Sequence, residues 1–355
     1  MEFGLFQNGF RPHTSAAQTY DEDLAEIVLA DQLGFRDVWI SEHHGEPVYI
    51  NKVDTLPIPE LLMCRAASVT KNIRMGAAVK LLHLSHPLDI ALQAAITDHM
   101  LHGRYMFGFG SGFPNAMFSN ERGLSFEDRH PRMMESLEFI LKCWSSNEQF
   151  NWEGKYWPAR DIVATPTPFN KPHMPIAIAS TTESTIQMAG TRGYISLSAY
   201  LEPAAAVKKK ADTYALAAKA AGRKDPLKNL TVARLIYLSD SLKDAVDEIR
   251  ADINYEMEYQ KARGLMRIIK DILPPTEGEI GFDDLLNAGM YYIGDPDSVA
   301  KRLQEFYEAS GGFGTLLLVT GKDWATREKR HRSLRLFMEH IAPKLHALQP
   351  TRDAS

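Results

Sequence analysis

Cysteine is nearly missing from this chain, with only Cys64 and Cys143 in 355 residues. Neither stands in a CxxC pair, and both lie in apolar, helical-looking surroundings (ELLMCRAAS and FILKCWSS). That excludes a disulfide framework and indicates buried thiols in a reducing, cytoplasmic setting. An excess of positive charge is missing too: Lys and Arg number 40 against 45 Asp and Glu, a formal net charge of -5. Nucleic-acid binders carry a basic stripe, so nucleic acid is not an expected partner. The dense basic runs, KKK at Lys208 to Lys210 and REKRHR at Arg327 to Arg332, read as solvated helix faces. No apolar run approaches membrane-spanning length. The opening MEFGLFQNGF has no basic region ahead of an apolar one, so it does not read as a signal peptide.

What is present is the composition of a globular protein, 45% hydrophobic and 24% charged. Short apolar runs rich in β-branched and aromatic residues alternate with longer segments of helical period, the pattern of βα units around a parallel sheet. The strand candidates are MEFGLFQ (Met1 to Gln7), DVWIS (Asp37 to Ser41), IRMGAAV (Ile73 to Val79), RYMFGFG (Arg104 to Gly110), MPIAIAS (Met174 to Ser180), YISLSA, LTVARLIYLS and FGTLLLVT (Phe313 to Thr320). Eight strands alternating with helices predict an α/β fold, a closed (β/α)8 TIM barrel, better than a doubly wound sheet. A single domain is expected over residues 1–346, with a flexible tail over 347–355. An excess between the seventh and eighth strands, residues 252–293, predicts a long insertion that acts as a lid.

In such a barrel, function gathers at the C-terminal strand ends. Polar and glycine-rich stretches stand there: EHH (Glu42 to His44) after the second strand, AVKLLHLSHP after the third, GSGF after the fourth and STTES after the fifth. For EHH three readings are open. Glu42 and His44 share one side of an extended chain while His43 shares the other with Trp39 and Ser41. A metal site would add His83 or His86 to Glu42 and His44; a hydrogen-bonded histidine pair would be structural; an imidazole beside an organic cofactor would handle protons. Ser180, Thr181 and Thr182, between a strand and a helix, form either an anion site of free backbone N–H groups or a plain N-cap. FGFGSGF (Phe107 to Phe113) lets a backbone approach a flat ligand closely.

EHH at Glu42 to His44, MGAAVKLLHLSHP at Met75 to Pro87, GRYMFGFGSG at Gly103 to Gly112, the segment from Ala177 to Tyr194 and YIGDPDSVAKRL at Tyr292 to Leu303 together resemble the bacterial luciferase-like flavin monooxygenases. The resemblance runs over nearly the whole chain in order and spacing. It implies a (β/α)8 barrel that takes reduced FMN (FMNH2) from a separate NAD(P)H:flavin reductase. With O2 the flavin forms a 4a-hydroperoxyflavin that oxygenates a small apolar molecule, a terpenoid, ketone or aldehyde. It places the catalytic histidine at His43, with Glu42 and His44 shaping the pocket. A non-proline cis peptide falls at Ala78 to Val79 beneath the flavin ring, and the phosphate contacts fall on Ser180, Thr181 and Thr182. Two positions depart from the luciferases: Ser111 stands where an arginine meets the phosphate, and Gly110 where a reactive cysteine stands, which opens room beside the ring. Family members pair through helices next to the early strands, so a homodimer through ELLMCRAASV (Glu60 to Val69) is expected. The alternatives are a deazaflavin-dependent oxidoreductase on the same barrel and a metal-dependent hydrolase using Glu42, His44 and His83.

Overall fold

The computed structural model describes residues 1–348 apart from positions 13, 45–55, 113–124, 126, 263–265, 267–268, 271–272 and 274–277. Eight parallel strands close on themselves: β1 (Glu2–Phe10), β2 (Asp37–Ile40), β3 (Arg74–Ala77), β5 (Tyr105–Gly110), β8 (Ile176–Ala179), β9 (Ile195–Ser198), β10 (Leu230–Leu238) and β12 (Thr315–Lys322). Each pairs with the next, and β12 returns to β1 with Glu2 opposite Thr315. These are the eight strands expected from the apolar runs, in the expected order.

The helices follow from local signals. Ser15 caps the first helix, Ala16–Leu33, in a capping box with Gln18, and Gly34 ends it at φ 85°. Further short elements hang on the barrel. β4 (Lys80–Leu81) adds to the outer end of β5, and β11 (Tyr291–Gly294) runs parallel to the second half of β10. The stretch NWEGKYWPARD lies within an antiparallel hairpin of β6 (Phe150–Trp152) with β7 (Ala159–Ile162). Its strands are short and half-exposed, so they lack the apolar alternation that announces a strand.

The expected insertion over 252–293 begins inside a regular helix, Leu242–Ala262. It continues through the short helix Phe282–Asn287 and ends in β11, with the intervening 263–265, 267–268, 271–272 and 274–277 outside the described residues. The long helix is tied to the end of β12: Glu256 pairs with the buried Lys322 and accepts from Trp324 Nε1 at 3.3 Å. Asp252 Oδ2 accepts from the Ala325 amide at 2.8 Å.

Two apolar layers result. Leu5, Val38, Met75, Tyr105, Phe107, Ile176, Val232 and Leu316 face outward under the helices. Inside, Trp39 joins Met106, Ala177, Leu197, Ala233 and Leu317. The fully buried indole lies against two glycines on the strands beside it. A Cβ on Gly76 would sit 2.5 Å from Trp39 Cζ3, and one on Gly108 would overlap the Ala77 carbonyl oxygen and come within 3.0 Å of the indole. Interiors packed to crystal density do not absorb such an addition. Gly108→Ala is therefore expected to lower the free energy of unfolding by about 3 kcal/mol in urea titrations. A variant as stable as the parent would contradict this account of the lumen.

Candidate functional site

β2 ends at Ile40, and the next residues turn over the barrel mouth. Ser41 is held to β1 by its amide on Gln7 O and its hydroxyl on Asn8 O, both at 3.0 Å. Glu42 then becomes the hub. Its Oε1 accepts from His44 Nε2 at 2.8 Å and from the Leu81 amide at 3.3 Å, and its Oε2 lies 3.1 Å from Lys80 Nζ. The same ammonium reaches Glu60 Oε2 at 3.0 Å, and Tyr105 donates to Glu60 Oε1 at 3.2 Å. All of this is buried, the Glu42 side chain being 4% exposed and Lys80 as a residue 7%.

Burial alone would neutralise these groups. For Glu42, burial works against ionisation, but the His44 hydrogen bond and the Lys80 charge outweigh it and hold the carboxyl below its ordinary range. Burial likewise opposes a charged Lys80, and the Glu60 and Glu42 carboxylates overcome it and raise that ammonium above its usual value. An ionised carboxylate only accepts, so His44 Nε2 carries the hydrogen. His43 is half-buried, with its amide on Leu56 O at 3.1 Å.

β3 ends in the cis peptide Ala78–Val79, and the Ala78 amide is bonded to Ile40 O at 2.8 Å. Beside it, a Cβ on Gly110 would stand 2.6 Å from Val79 Cγ2 and 3.4 Å from Ala179 O. The room expected at Gly110 is thus filled by the Val79 methyl. Ser111 follows, half-buried, and then Gly112 at φ 67°. Among the described residues, small side chains and bare backbone follow β3 and β5 at the mouth, at positions 78, 79 and 110–112.

Beyond β8, Thr182 is the N-cap of the helix Glu183–Arg192 and makes no side-chain cap bond. Its amide instead donates to Ser180 Oγ at 3.0 Å, and Thr181 and Thr182 are exposed. Two basic residues that sequence reasoning passed over come to the same place. His130 Nε2 lies 3.3 Å from Thr185 Oγ1, and Arg129 donates to Gly112 O at 3.3 Å. Their only signal was the basic cluster DRHPR opening a helix.

The other histidines of the third strand end divide in role. His86 caps the helix Pro87–Met100, its Nδ1 accepting from the Leu88 amide at 3.2 Å, and its ring sits edge-on to Phe139 and Trp157. His83 is 1% exposed, and neither ring nitrogen has a hydrogen-bond partner among the described residues. Burial, then the Arg129 and Arg132 charges, push its pKa from 6.5 down to about 4. Among the described residues no group of three or more His, Cys, Asp or Glu is placed to hold a metal ion, and Glu42 is already engaged by Lys80 and His44. None of the described helices is long and apolar enough to cross a membrane.

The fold and this strand-end arrangement define the class: residues 1–312 match the luciferase-like monooxygenase family, and the chain belongs to it. Among curated relatives it is 29% identical to 3,6-diketocamphane 1,6-monooxygenase of Pseudomonas putida, covering 97% of this chain and 98% of that one. It is 26% identical to limonene 1,2-monooxygenase of Rhodococcus erythropolis, over 97% of this chain and 86% of that one. A solved structure, the oxygenating constituent of 3,6-diketocamphane monooxygenase from Pseudomonas putida, described as a type II Baeyer-Villiger monooxygenase in complex with FMN, superposes with a TM-score of 0.83. That match is 28% identical and covers 99% of both chains.

His83 makes the stability of this region depend on pH with a definite sign. A base whose folded pKa is depressed contributes stability above its unfolded pKa, 6.5, and loses it as pH falls toward about 4, because only the unfolded chain then takes up the proton. His83→Gln is expected to flatten the fall in unfolding free energy between pH 6.5 and 4 by on the order of 2 kcal/mol, measured by urea titration at each pH. Parallel pH profiles for the two proteins would show that His83 does not carry it.

Proposed function

We propose that this chain is the oxygenating component of a two-component system. It takes reduced FMN from a separate NAD(P)H:flavin reductase and uses O2 to oxygenate a small apolar substrate, a cyclic terpenoid ketone being the best fit. The observation that carries this reading is the set of groups at the strand-end surface. His44, fixed by a buried carboxylate and next in sequence to His43, stands after one strand and a helix N-terminus without a side-chain cap bond after another, with the small residues Ala78, Val79 and Gly110 on the strands between them. Such a surface suits a planar ring with an anionic tail.

The assignment by residue follows. Ala78 and Val79 lie under the ring, with Gly110 and Ser111 along its edge. Ser180, Thr181 and Thr182 receive the phosphate, Arg129 and His130 adding positive charge nearby in the absence of an arginine at Ser111. His43 is the catalytic proton-handling group, and Glu42 and His44 shape the pocket around it. Reduced FMN, when bound, supplies two electrons to O2, so that one oxygen atom enters the product and the other leaves as water. The protein's part is to hold the reactants, move protons at His43 and keep bulk water out. The segment 252–293 serves as the cover, its helix anchored to the end of β12 through Glu256 and Asp252.

A relative that acts on diketocamphane and one that acts on limonene support a terpenoid substrate. The site of action is the cytoplasm, where both free cysteines stay reduced. The chain pairs as a homodimer through the helices Pro59–Ala67 and Pro87–Met100, which leave Leu61, Ile96 and Met100 at 68%, 46% and 53% exposure.

Purified protein with a flavin reductase, NADH, FMN and a panel of bicyclic terpene ketones is expected to give lactones by mass spectrometry. His43→Ala is expected to lower that rate on the order of 100-fold with the fold intact. No oxygenated product from any ketone or terpene in the panel would overturn the reading. Light scattering is expected to show a dimer at micromolar concentration and a monomer for the double variant Leu61→Asp, Met100→Asp. A monomeric parent protein would reject the dimer.

A further inference from the structure

Lys80 follows directly on the Ala78–Val79 peptide and sends its side chain away from solvent to stand between two carboxylates. A lysine rarely sits at 7% exposure, and holding Glu42 at 3.1 Å and Glu60 at 3.0 Å is what keeps it there. Its two partners belong to different parts of the molecule. Glu42 leads the EHH turn after β2, whereas Glu60 stands in the first turn of the helix Pro59–Ala67 and is braced by Tyr105 of β5. Lys80 stands 3.1 Å from Glu42 Oε2 as an ion pair, and no described group hydrogen-bonds that oxygen, while Oε1 takes both His44 Nε2–H and the Leu81 amide. The cation on one oxygen and the two donors on the other together orient the carboxylate, and with it the imidazole of His44.

We propose that Lys80 is a positioning residue for the histidine pair: by fixing both the charge and the rotation of Glu42, it holds His44 with Nε2–H directed at Glu42, and so sets the geometry at the adjacent His43. The inference rests on the flavin reading of this site for its effect on turnover. Its geometric core is independent of any flavin.

Two roles must be separated. Lys80 could serve only to neutralise Glu60 and Glu42 in the interior, or it could orient Glu42. Lys80→Met leaves two buried carboxylates facing each other and is open to misfolding. The double variant Lys80→Met, Glu60→Gln removes that conflict, since glutamine still accepts from Tyr105 and Glu42 keeps its His44 partner. Lys80→Arg restores the cation.

In the flavin-free protein, 1H–15N spectra of labelled histidine are expected to show a solvent-protected Nε2–H for His44 that the double variant loses. In reductase-coupled turnover the double variant is expected to keep KM within threefold and lose at least tenfold in kcat, with Lys80→Arg regaining most of it. A double variant with parental kcat and a retained His44 Nε2–H would overturn the proposal and leave Lys80 a charge-balancing residue. If the parent protein itself gives no oxygenated product, the flavin reading fails, while the histidine spectra still decide whether Lys80 orients Glu42.

Discussion

A closed eight-stranded barrel has a lumen that side chains must fill, and here the largest fully buried one is an indole. Trp39 lies over β3 and β5, with Gly76 and Gly108 cut back to bare backbone against it. A smaller residue at 39 would leave a void, and a larger one at 76 or 108 would have nowhere to go. The plug also sets the height at which chemistry can happen. Above it on the side of β3, β5 and β8 stand the small residues Ala78, Val79, Gly110 and Ala179, while Phe6, Tyr200 and Leu201 join the same cluster, and the mouth they surround is the basin proposed for the flavin. The EHH turn begins three residues beyond the same tryptophan, and the strand that carries the floor therefore also carries the site.

The rim of that basin is made of buried charge, which is a poor way to gain stability. Desolvating a lysine and two glutamates offsets most of their mutual attraction, and apolar replacements of the same size are often no worse. Their value is in geometry. Lys80 ties Glu42 to Glu60. At the opposite side Lys322 pairs with Glu256, while Arg11, fully buried, donates to Asp23 at 3.0 Å, Glu26 at 2.7 Å and the Lys322 carbonyl at 2.7 Å. Each group joins a strand end to a helix, so loops that differ widely in sequence are held at one level around the mouth.

The barrel itself was legible in the sequence because its signal is local. DVWI, YMFGFG and IAIA are short, apolar and separated by helical periods, and each became a strand of the closed sheet. The pairing of Glu42 with His44 was legible as well, from the alternation of an extended chain. Lys80 was not. Within AVKLLHLSHP it is one charge in an apolar run, and its meaning depends on Glu60, twenty residues earlier, and on Tyr105, which no period connects to it. The same holds for Arg129 and His130, which reach Gly112 and Thr185 only through folding, and for β11, whose partner Leu235 to Leu238 lies far back in the chain. Side-chain networks that join distant elements leave no periodic mark.

The central claim is that the basin above Trp39 holds a flavin between the EHH turn and the Ser180 to Thr182 turn. The most direct measurement is a crystal structure of the protein with FMN bound. The account predicts the ring lying over Ala78 and Val79 and the phosphate within hydrogen-bond reach of Ser180, Thr181 and Thr182. A flavin seated outside the barrel mouth, or one whose phosphate avoids that helix N-terminus, would contradict it.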